Sequence, residues 1–261
     1  MELLVCIKQV PDDSVAVTLD ANGAPKTADI AAVVNAFDTY ALEMAARFKE
    51  AHGGSDTVLG IGAADALTPS MRSCLAVGAD RAFVVAEESD SDAAGVAHLL
   101  AQGSKKAGEA FDVIFCGSEA TDTGNSQVGL FLAQELGLPV VANVLALEPA
   151  EGGLSVKQET EDGYRIFEVP CPCVLTVVKP EYEPRYPSIK SKMAARKMPV
   201  NALSAAEIEA AAGKFGPEVS RVQRVAVAAP AQRQAGVKIQ EKDPAEAVRR
   251  AMELMAEQKL V

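Results

Sequence analysis

Apolar segments of strand length alternate with longer amphipathic segments over the first half of the chain. The strand-like runs are residues 2–10, 57–61, 82–85 and 113–116. The segments with helical spacing lie near residues 38–52, 65–77, 92–108 and 125–136, and Asp38 is expected to be the N-cap of the first. Strands that alternate with helices of this length predict a parallel sheet with helices on both faces. The expected fold class is therefore α/β, with a three-layer parallel sheet.

The pattern changes after residue 140 and favours antiparallel strands. Residues 154–157 and 164–169 alternate between apolar and polar, and Asp162-Gly163 between them is typical of a tight turn. This predicts a β-hairpin laid on the α/β core. The apolar run at residues 174–178 is expected to re-enter the sheet and to complete it by about residue 180.

An extended arm and a terminal helix are predicted to follow. Periodicity is weak in residues 180–236, apart from a short helix expected near 204–212. Close to the end, Asp243 suits an N-cap, Pro244 suits the first helical position and Glu246 completes a capping box. The apolar stripe of this helix consists of Val248, Met252 and Met255. A helix joined by a long arm is expected to dock on a partner or on a remote face.

Composition excludes several classes of function. The chain has 261 residues, with 25 Lys and Arg against 36 Asp and Glu, and its net charge of −11 argues against binding to nucleic acid. Apolar runs are too short to predict a membrane span. The first residues lack a basic segment and a cleavage site, and the cysteines are five and scattered, so a cytoplasmic, reducing location is expected.

Residues for acid–base or metal chemistry are scarce. The two histidines, His52 and His98, lie in helix-like segments outside any catalytic motif and are interpreted as structural. Cys171-Pro172-Cys173 has no second pair at the spacing of zinc ligands, so no metal site is predicted. The glycines around Gly62 lack the third glycine of a dinucleotide fingerprint. An enzyme with its own acid and base is therefore not favoured.

The segment after the fourth strand has the composition of a phosphate-binding loop. Residues 116–129 are rich in Gly, Ser, Thr and Asn and run directly into a predicted helix. In parallel sheets ligands bind beyond the carboxyl ends of the strands, and a helix start attracts phosphate. Gly117 and Gly124 would permit close backbone approach, while Asp122 could accept a hydrogen bond from a ribose or an amine. The alternative is that Asp122 or Thr123 only caps the helix.

The chain resembles the β subunits of electron transfer flavoproteins over nearly its whole length. The similar segments are residues 5–12, 35–43, 75–80 and the loop that ends at Gln127-Val128-Gly129. The most specific is Glu-Pro-Arg-Tyr-Pro-Ser-Ile at residues 183–189, followed by Lys-Met-Ala-Ala-Arg-Lys at residues 192–197. The resemblance implies an adenine nucleotide α-hydrolase-like sheet over residues 1–200. It also implies that residues 201–261 form an arm and helix that dock on an α subunit.

The resemblance implies the function of an electron carrier. In this family an FAD, held mostly by the α subunit and covered by β, accepts electrons from acyl-CoA or other flavin dehydrogenases and passes them to an acceptor. The β subunit also binds an adenine nucleotide, which is AMP in ordinary members and a second FAD in those that bifurcate electrons from NADH. The implied nucleotide-binding residues are Cys6 (backbone), Asn35, Ala36, Phe37, Asp38, Gly62, Gly117, Ser118, Asp122, Thr123, Gly124, Asn125, Ser126, Gln127 and Val128.

Dehydrogenase binding is implied at Arg185, Tyr186, Ile189 and Lys192. Ile189 stands where the family usually has a leucine anchor; its alternative is to pack on its own domain. The loop at residues 122–127 matches neither the AMP-type nor the bifurcating pattern, and Ala36 replaces a usual proline, so AMP and a second FAD both remain open. A stand-alone nucleotide-binding sensor is the alternative function, although it would have no use for a partner-wrapping arm.

Overall fold

The structure is a computed structural model that describes residues 1–108, 110–231 and 235–261. The strands are β1 (Glu2–Ile7), β2 (Gln9–Pro11), β3 (Thr18–Leu19), β4 (Pro25–Lys26), β5 (Ala32–Val34), β6 (Ser55–Ile61), β7 (Arg81–Ala86), β8 (Val113–Gly117), β9 (Val140–Ala150), β10 (Gly153–Thr160), β11 (Gly163–Pro170), β12 (Cys173–Val177) and β13 (Val200–Ser204). The helices are α1 (Ala36–His52), α2 (Ala64–Val77), α3 (Ala93–Ala107), α4 (Val128–Leu136), α5 (Ile189–Ala195) and α6 (Pro244–Glu257).

One nine-stranded sheet organises the described residues, in the order β11-β10-β9-β12-β8-β1-β6-β7-β13. The seven strands from β9 to β13 in this order are paired in parallel. The chain first builds outward from β1 through β6 to β7, and then crosses to β8 on the other side of β1. In α/β sheets ligands bind at such a reversal, beyond the carboxyl ends of the strands, and we call this edge beyond β1 and β8 the crevice. The predicted α/β fold is confirmed.

Helices cover both faces of the sheet, so the central strands are buried on both sides. Leu4 and Val5 are neighbours in β1, and both are fully buried. Val5 packs in a cluster with apolar side chains of α1 and α2, while Leu4 packs in a second cluster with those of α3 and α4. A strand buried on both faces reads as a continuous apolar run, which is why the sequence pattern reveals these strands.

The predicted antiparallel hairpin forms as β10 and β11, and together with β9 it extends the sheet. β9 runs for 11 residues. The first residues of β9 pair in parallel with β12, and its later residues pair antiparallel with β10. β10 in turn pairs antiparallel with β11. The open edge of β12 offers unpaired backbone groups, and β9 satisfies them. The hairpin is therefore confirmed, but it extends the edge of the sheet instead of lying on the core; the re-entry of residues 174–178 into the sheet is also confirmed.

The sheet also continues past the point where the arm was expected to begin. β13 pairs in parallel with β7 and forms the opposite edge of the sheet. The short helix predicted near residues 204–212 is absent from the structure described there: turns replace it, and Ile208 is buried in the cluster of α3 and α4. His98 ties this segment down, because its Nε2 accepts from the Ala211 N–H at 3.1 Å and its Nδ1 lies 2.8 Å from Glu135 Oε1.

Beyond this segment the chain makes few contacts with the sheet. The Asp243 side chain caps α6 by accepting from the Ala245 N–H at 3.0 Å. Glu246 forms an ion pair with Arg249 instead of closing the predicted capping box. Every residue of α6 is described, and none is buried. Residues 232–234 of the predicted arm lie outside the described residues, and among those described no helix combines the length and apolarity that would cross a membrane.

A buried carboxylate, Asp56, lies near the amino end of β6. Asp56 is fully buried, and among the described residues neither of its carboxylate oxygens has a hydrogen-bond partner. Burial raises the pKa of Asp56 to about 7, against the attraction of Lys49. The folded state therefore binds a proton that the unfolded state releases at lower pH. The stability of the protein should fall, through this group, as the pH rises from the ordinary carboxyl range to about 7.

We expect the Asp56→Asn variant to be more stable than the wild type, because its neutral amide carries no charge into the core. The gain should be larger at pH 8 than at pH 5, by on the order of 1–3 kcal/mol. Urea unfolding at the two pH values measures it. Exposed Asp90, replaced in the same way, serves as the control. An equal gain at both pH values would contradict the assignment of the effect to the Asp56 charge.

Candidate functional site

Asp38 joins the two strands that border the crevice. Its Oδ2 accepts from the Lys8 N–H, just after β1, at 2.7 Å. Its Oδ1 accepts from the N–H of Gly117, the last residue of β8, at 3.1 Å. Asn35, not Asp38, occupies the N-cap position of α1. The predicted capping role of Asp38 was therefore wrong, because the buried side chain bridges neighbouring strands.

The electrostatics of Asp38 reflect this buried position. Burial raises the pKa of Asp38 to about 7, although the N–H donors of Lys8 and Gly117 and the nearby Asn35 and Lys8 side chains favour the charged form. Gly117 has no room for a larger residue, since an added Cβ would lie 2.7 Å from the Phe37 Cβ and would also overlap Asp38 Oδ1. The absence of a side chain at Gly117 thus allows the close approach of β8 to α1.

Asn35 fastens the loop between β8 and α4. Its side-chain amide donates to the Glu119 carbonyl at 2.8 Å, and its Oδ1 accepts from the Thr121 N–H at 3.0 Å. Its own N–H donates to the Lys8 carbonyl at 2.9 Å. One buried side chain therefore links the end of β1 to the loop that was predicted to bind phosphate.

Two residues of the loop adopt a left-handed backbone conformation before α4 begins. Gly124 has φ 59° and Ser126 has φ 52°. α4 starts at residue 128 rather than 125, with Gln127 at its N-cap position. The alternative that Asp122 or Thr123 caps this helix is therefore wrong. The first N–H groups of α4 lack acceptors within the helix, as at any helix start, and lie at the same edge of the sheet as the crevice.

Lys8 is a part of the site that was missing from the predicted residues. Its Nζ lies 2.7 Å from the carboxylate Oδ1 of Asp122, and both side chains are partly exposed. The ion pair therefore spans the crevice from the end of β1 to the loop. A lysine directly after a buried strand is the signal that could have revealed it, since the carboxyl end of a parallel strand is where ligands bind.

The structure brings the other predicted nucleotide-binding residues to this edge of the sheet. Cys6 lies near the end of β1, and Gly62 follows β6 with φ 144°. The N–H of Ser118 donates to the Val177 carbonyl at 2.9 Å. Three further residues are exposed or half-exposed at the loop and at the start of α4: Asn125, Gln127 and Val128. Nucleotide binding by these residues stays a prediction.

The predicted partner-binding residues lie on α5 and in the segment just before it. Tyr186 is 97% exposed and Ile189 is 81% exposed, so Ile189 does not pack on its own domain within the described residues. Lys192 is exposed on α5, which packs against α2. Arg185 differs from them, because its guanidinium group forms ion pairs with Glu43 and Glu50 of α1.

Comparison with known proteins gives a consistent result. The family model of the electron transfer flavoprotein domain matches residues 26–208. The chain is 33% identical to the electron transfer flavoprotein subunit beta of Megasphaera elsdenii, with 100% of both chains covered. It is 37% identical to the subunit of the same name from Thermoanaerobacterium thermosaccharolyticum, over 90% of this chain and 91% of that one. It is also 33% identical to the caffeyl-CoA reductase-Etf complex subunit CarD of Acetobacterium woodii, over 77% of each.

We expect the Asn35→Ala variant to loosen the loop while leaving the sheet folded. It removes two hydrogen bonds and leaves the Thr121 N–H and the Glu119 carbonyl without this partner, which should lower the free energy of unfolding by about 1–3 kcal/mol. Amide hydrogen exchange of residues 118–127 should become faster. Exposed Asn22, in a turn outside this loop and replaced by alanine, is the matched control. Unchanged exchange in Asn35→Ala would show that the side chain does not hold the loop.

Proposed function

The chain belongs to the electron transfer flavoprotein family, and we propose that it is the β subunit of a heterodimeric electron transfer flavoprotein. The observation that carries the proposal is the similarity to proteins named as beta subunits over the full length of the chain, arm and terminal helix included. In this role the chain is an electron carrier subunit and makes or breaks no bonds of its substrates. The flavin supplies the redox chemistry, and the protein supplies position and electrostatics.

The crevice beyond β1 and β8 binds an adenine nucleotide, either AMP or a second FAD. The residues present fit a phosphate group: the first amides of α4 are donors, and the positive end of the helix dipole favours an anion. The Lys8 ammonium lies at the end of β1, where it pairs with Asp122, and it can neutralise a phosphate oxygen. Asp38 and Asn35 set the width of the crevice through their bonds to both strands and to the loop.

The α subunit covers the terminal helix and holds most of the shared FAD. On α6, the stripe of Val248, Met252 and Met255 is exposed, as are several valines of the preceding segment. An exposed apolar helix face is typical of a segment that becomes ordered when a partner binds it. The same observation disfavours a stand-alone sensor, which would leave this stripe exposed.

Dehydrogenases dock on residues 186–193, which we call the docking segment. The apolar side chains of Tyr186, Ile189 and Met193 are more than half exposed. Residues 186–206 contain four basic side chains and no acidic one, in a chain of net charge −11. The segment therefore suits an acyl-CoA or other flavin dehydrogenase whose docking pocket is apolar and surrounded by carboxylates.

Co-expression with an α subunit tests the assignment. We expect a yellow heterodimer, and an adenine nucleotide on acid extraction: one flavin per heterodimer indicates AMP in β, and two indicate a second FAD. Gly124→Val should release the nucleotide of β, since a β-branched residue is strained at φ 59°. Gly23→Val, at φ 80° in a remote turn, is the control. A colourless chain that does not bind α would favour the sensor.

We expect Ile189→Ala to weaken electron transfer from the dehydrogenase. Burial of one aliphatic side chain is worth roughly 1.5–3 kcal/mol, which corresponds to about 10- to 150-fold in affinity. Flavin content and the thermal midpoint should stay nearly unchanged, because Ile189 is exposed in the free chain. Steady-state reduction of the flavin at varied heterodimer concentration measures the effect, with exposed Val15 replaced by alanine as the control. Unchanged kinetics would remove Ile189 from the docking interface.

A further inference from the structure

Glu43, near the middle of α1, is a fully buried carboxylate that binds two arginines. Its Oε1 accepts from Arg47 Nε at 2.5 Å and from Arg185 Nη2 at 3.2 Å. Its Oε2 accepts from Arg185 Nε at 2.8 Å and from the Arg185 backbone N–H at 3.2 Å. Burial acts to raise the pKa of Glu43, but the hydrogen bonds from Arg185 and Arg47 outweigh it and leave the pKa below its usual range. The carboxylate is thus charged and paired.

Arg185 has little capacity left to bind a partner. Besides Glu43, its guanidinium group binds both carboxylate oxygens of Glu50, which lies about two turns further along α1. A bidentate pair of this kind fixes the orientation of the guanidinium plane as well as its position. The side chain is only 30% exposed. Two acidic groups compensate its charge, so Arg185 presents no free cation to an approaching protein.

A second contact holds the same stretch of chain to α1. The guanidinium group of Arg47, which binds Glu43 from the other side, lies 4.1 Å from the centre of the Tyr182 ring. Tyr182 and Arg185 flank Pro184, whose ring restricts the backbone between them. Both ends of this short stretch are therefore attached to one rigid helix. Arg185 is the last residue of this stretch that contacts α1, and the docking segment begins at the next residue, Tyr186.

We propose that Glu43 and Arg185 are positioning residues that hold the docking segment in its binding conformation. The inference rests on the proposed function, because it assumes that dehydrogenases bind there. Binding through exposed side chains on a loose loop costs conformational entropy, and a segment that is held in place in the free protein loses less on docking. Arg185, predicted from the sequence to contact the partner, then acts through Tyr186 and Ile189.

The test compares variants of the purified heterodimer with a control that removes the same charge at another site. Arg185→Gln should raise the KM for the heterodimer in the dehydrogenase reaction roughly threefold to tenfold, because the segment must be ordered during binding. The kcat, the flavin content and the nucleotide content should not change. Arg185→Lys, which keeps the charge but not the bidentate geometry, should give an intermediate KM. Arg81→Gln, which removes an exposed arginine paired with Glu2, is the control.

Two further measurements separate positioning from direct contact. Amide hydrogen exchange of residues 186–193, measured without dehydrogenase, should be faster in Arg185→Gln. In the background of Ile189→Ala, Arg185→Gln should raise the KM by a smaller factor. A positioning residue acts through Ile189, so the effects of the two substitutions on the KM are not additive. Glu50→Gln changes an exposed carboxylate outside the core and should raise the KM in the same direction.

The outcomes distinguish the inference from the function on which it rests. If Ile189→Ala leaves the KM unchanged, the proposed docking surface is wrong, and the inference falls with it. If Ile189→Ala raises the KM but Arg185→Gln and Glu50→Gln do not, only the inference is overturned. Fully additive effects with unchanged exchange would also overturn it, because they would make Arg185 a direct contact.

Discussion

The Asp38 carboxylate is the interaction on which the site depends. It accepts one hydrogen bond from a backbone N–H at the end of β1 and another from a backbone N–H at the end of β8. It therefore holds together two neighbouring strands that are far apart in the chain. Because the strand order reverses at this point, the sheet has a crevice there. The start of α1, the Asn35 bridge and the loop to α4 are all placed relative to this contact.

Three buried carboxylates show how surroundings decide what an acidic residue does. Asp38 receives backbone donors and joins strands, whereas Glu43 receives two arginines and holds the chain before α5. Burial raises the pKa of both Asp38 and Asp56 to about 7, but Asp56 has no hydrogen-bond partner for its oxygens among the described residues. Only at Glu43 do the donors, two arginines, outweigh the loss of hydration and keep the pKa below its usual range.

α1 links the two regions that the proposed function uses. Its first turn carries Asp38 and borders the crevice, and its later turns carry Glu43 and Glu50, which bind Arg185. Helices are rigid over this length, so the crevice and the docking segment keep a fixed relation within the free chain. The terminal helix α6 is different, because its apolar face lies outside the core and suits a partner.

The sequence by itself determined the α/β class, the central strands and the position of the crevice loop, because runs such as residues 113–116 are continuously apolar, as packing on both faces requires. The tertiary structure decided which groups meet. The bridging role of Asp38, the ion pair of Lys8 with Asp122 and the addition of β13 to the sheet join residues far apart in the chain. Periodicity reports which face of an element is buried, but pairing between distant segments depends on the edges and donors that the folded sheet presents.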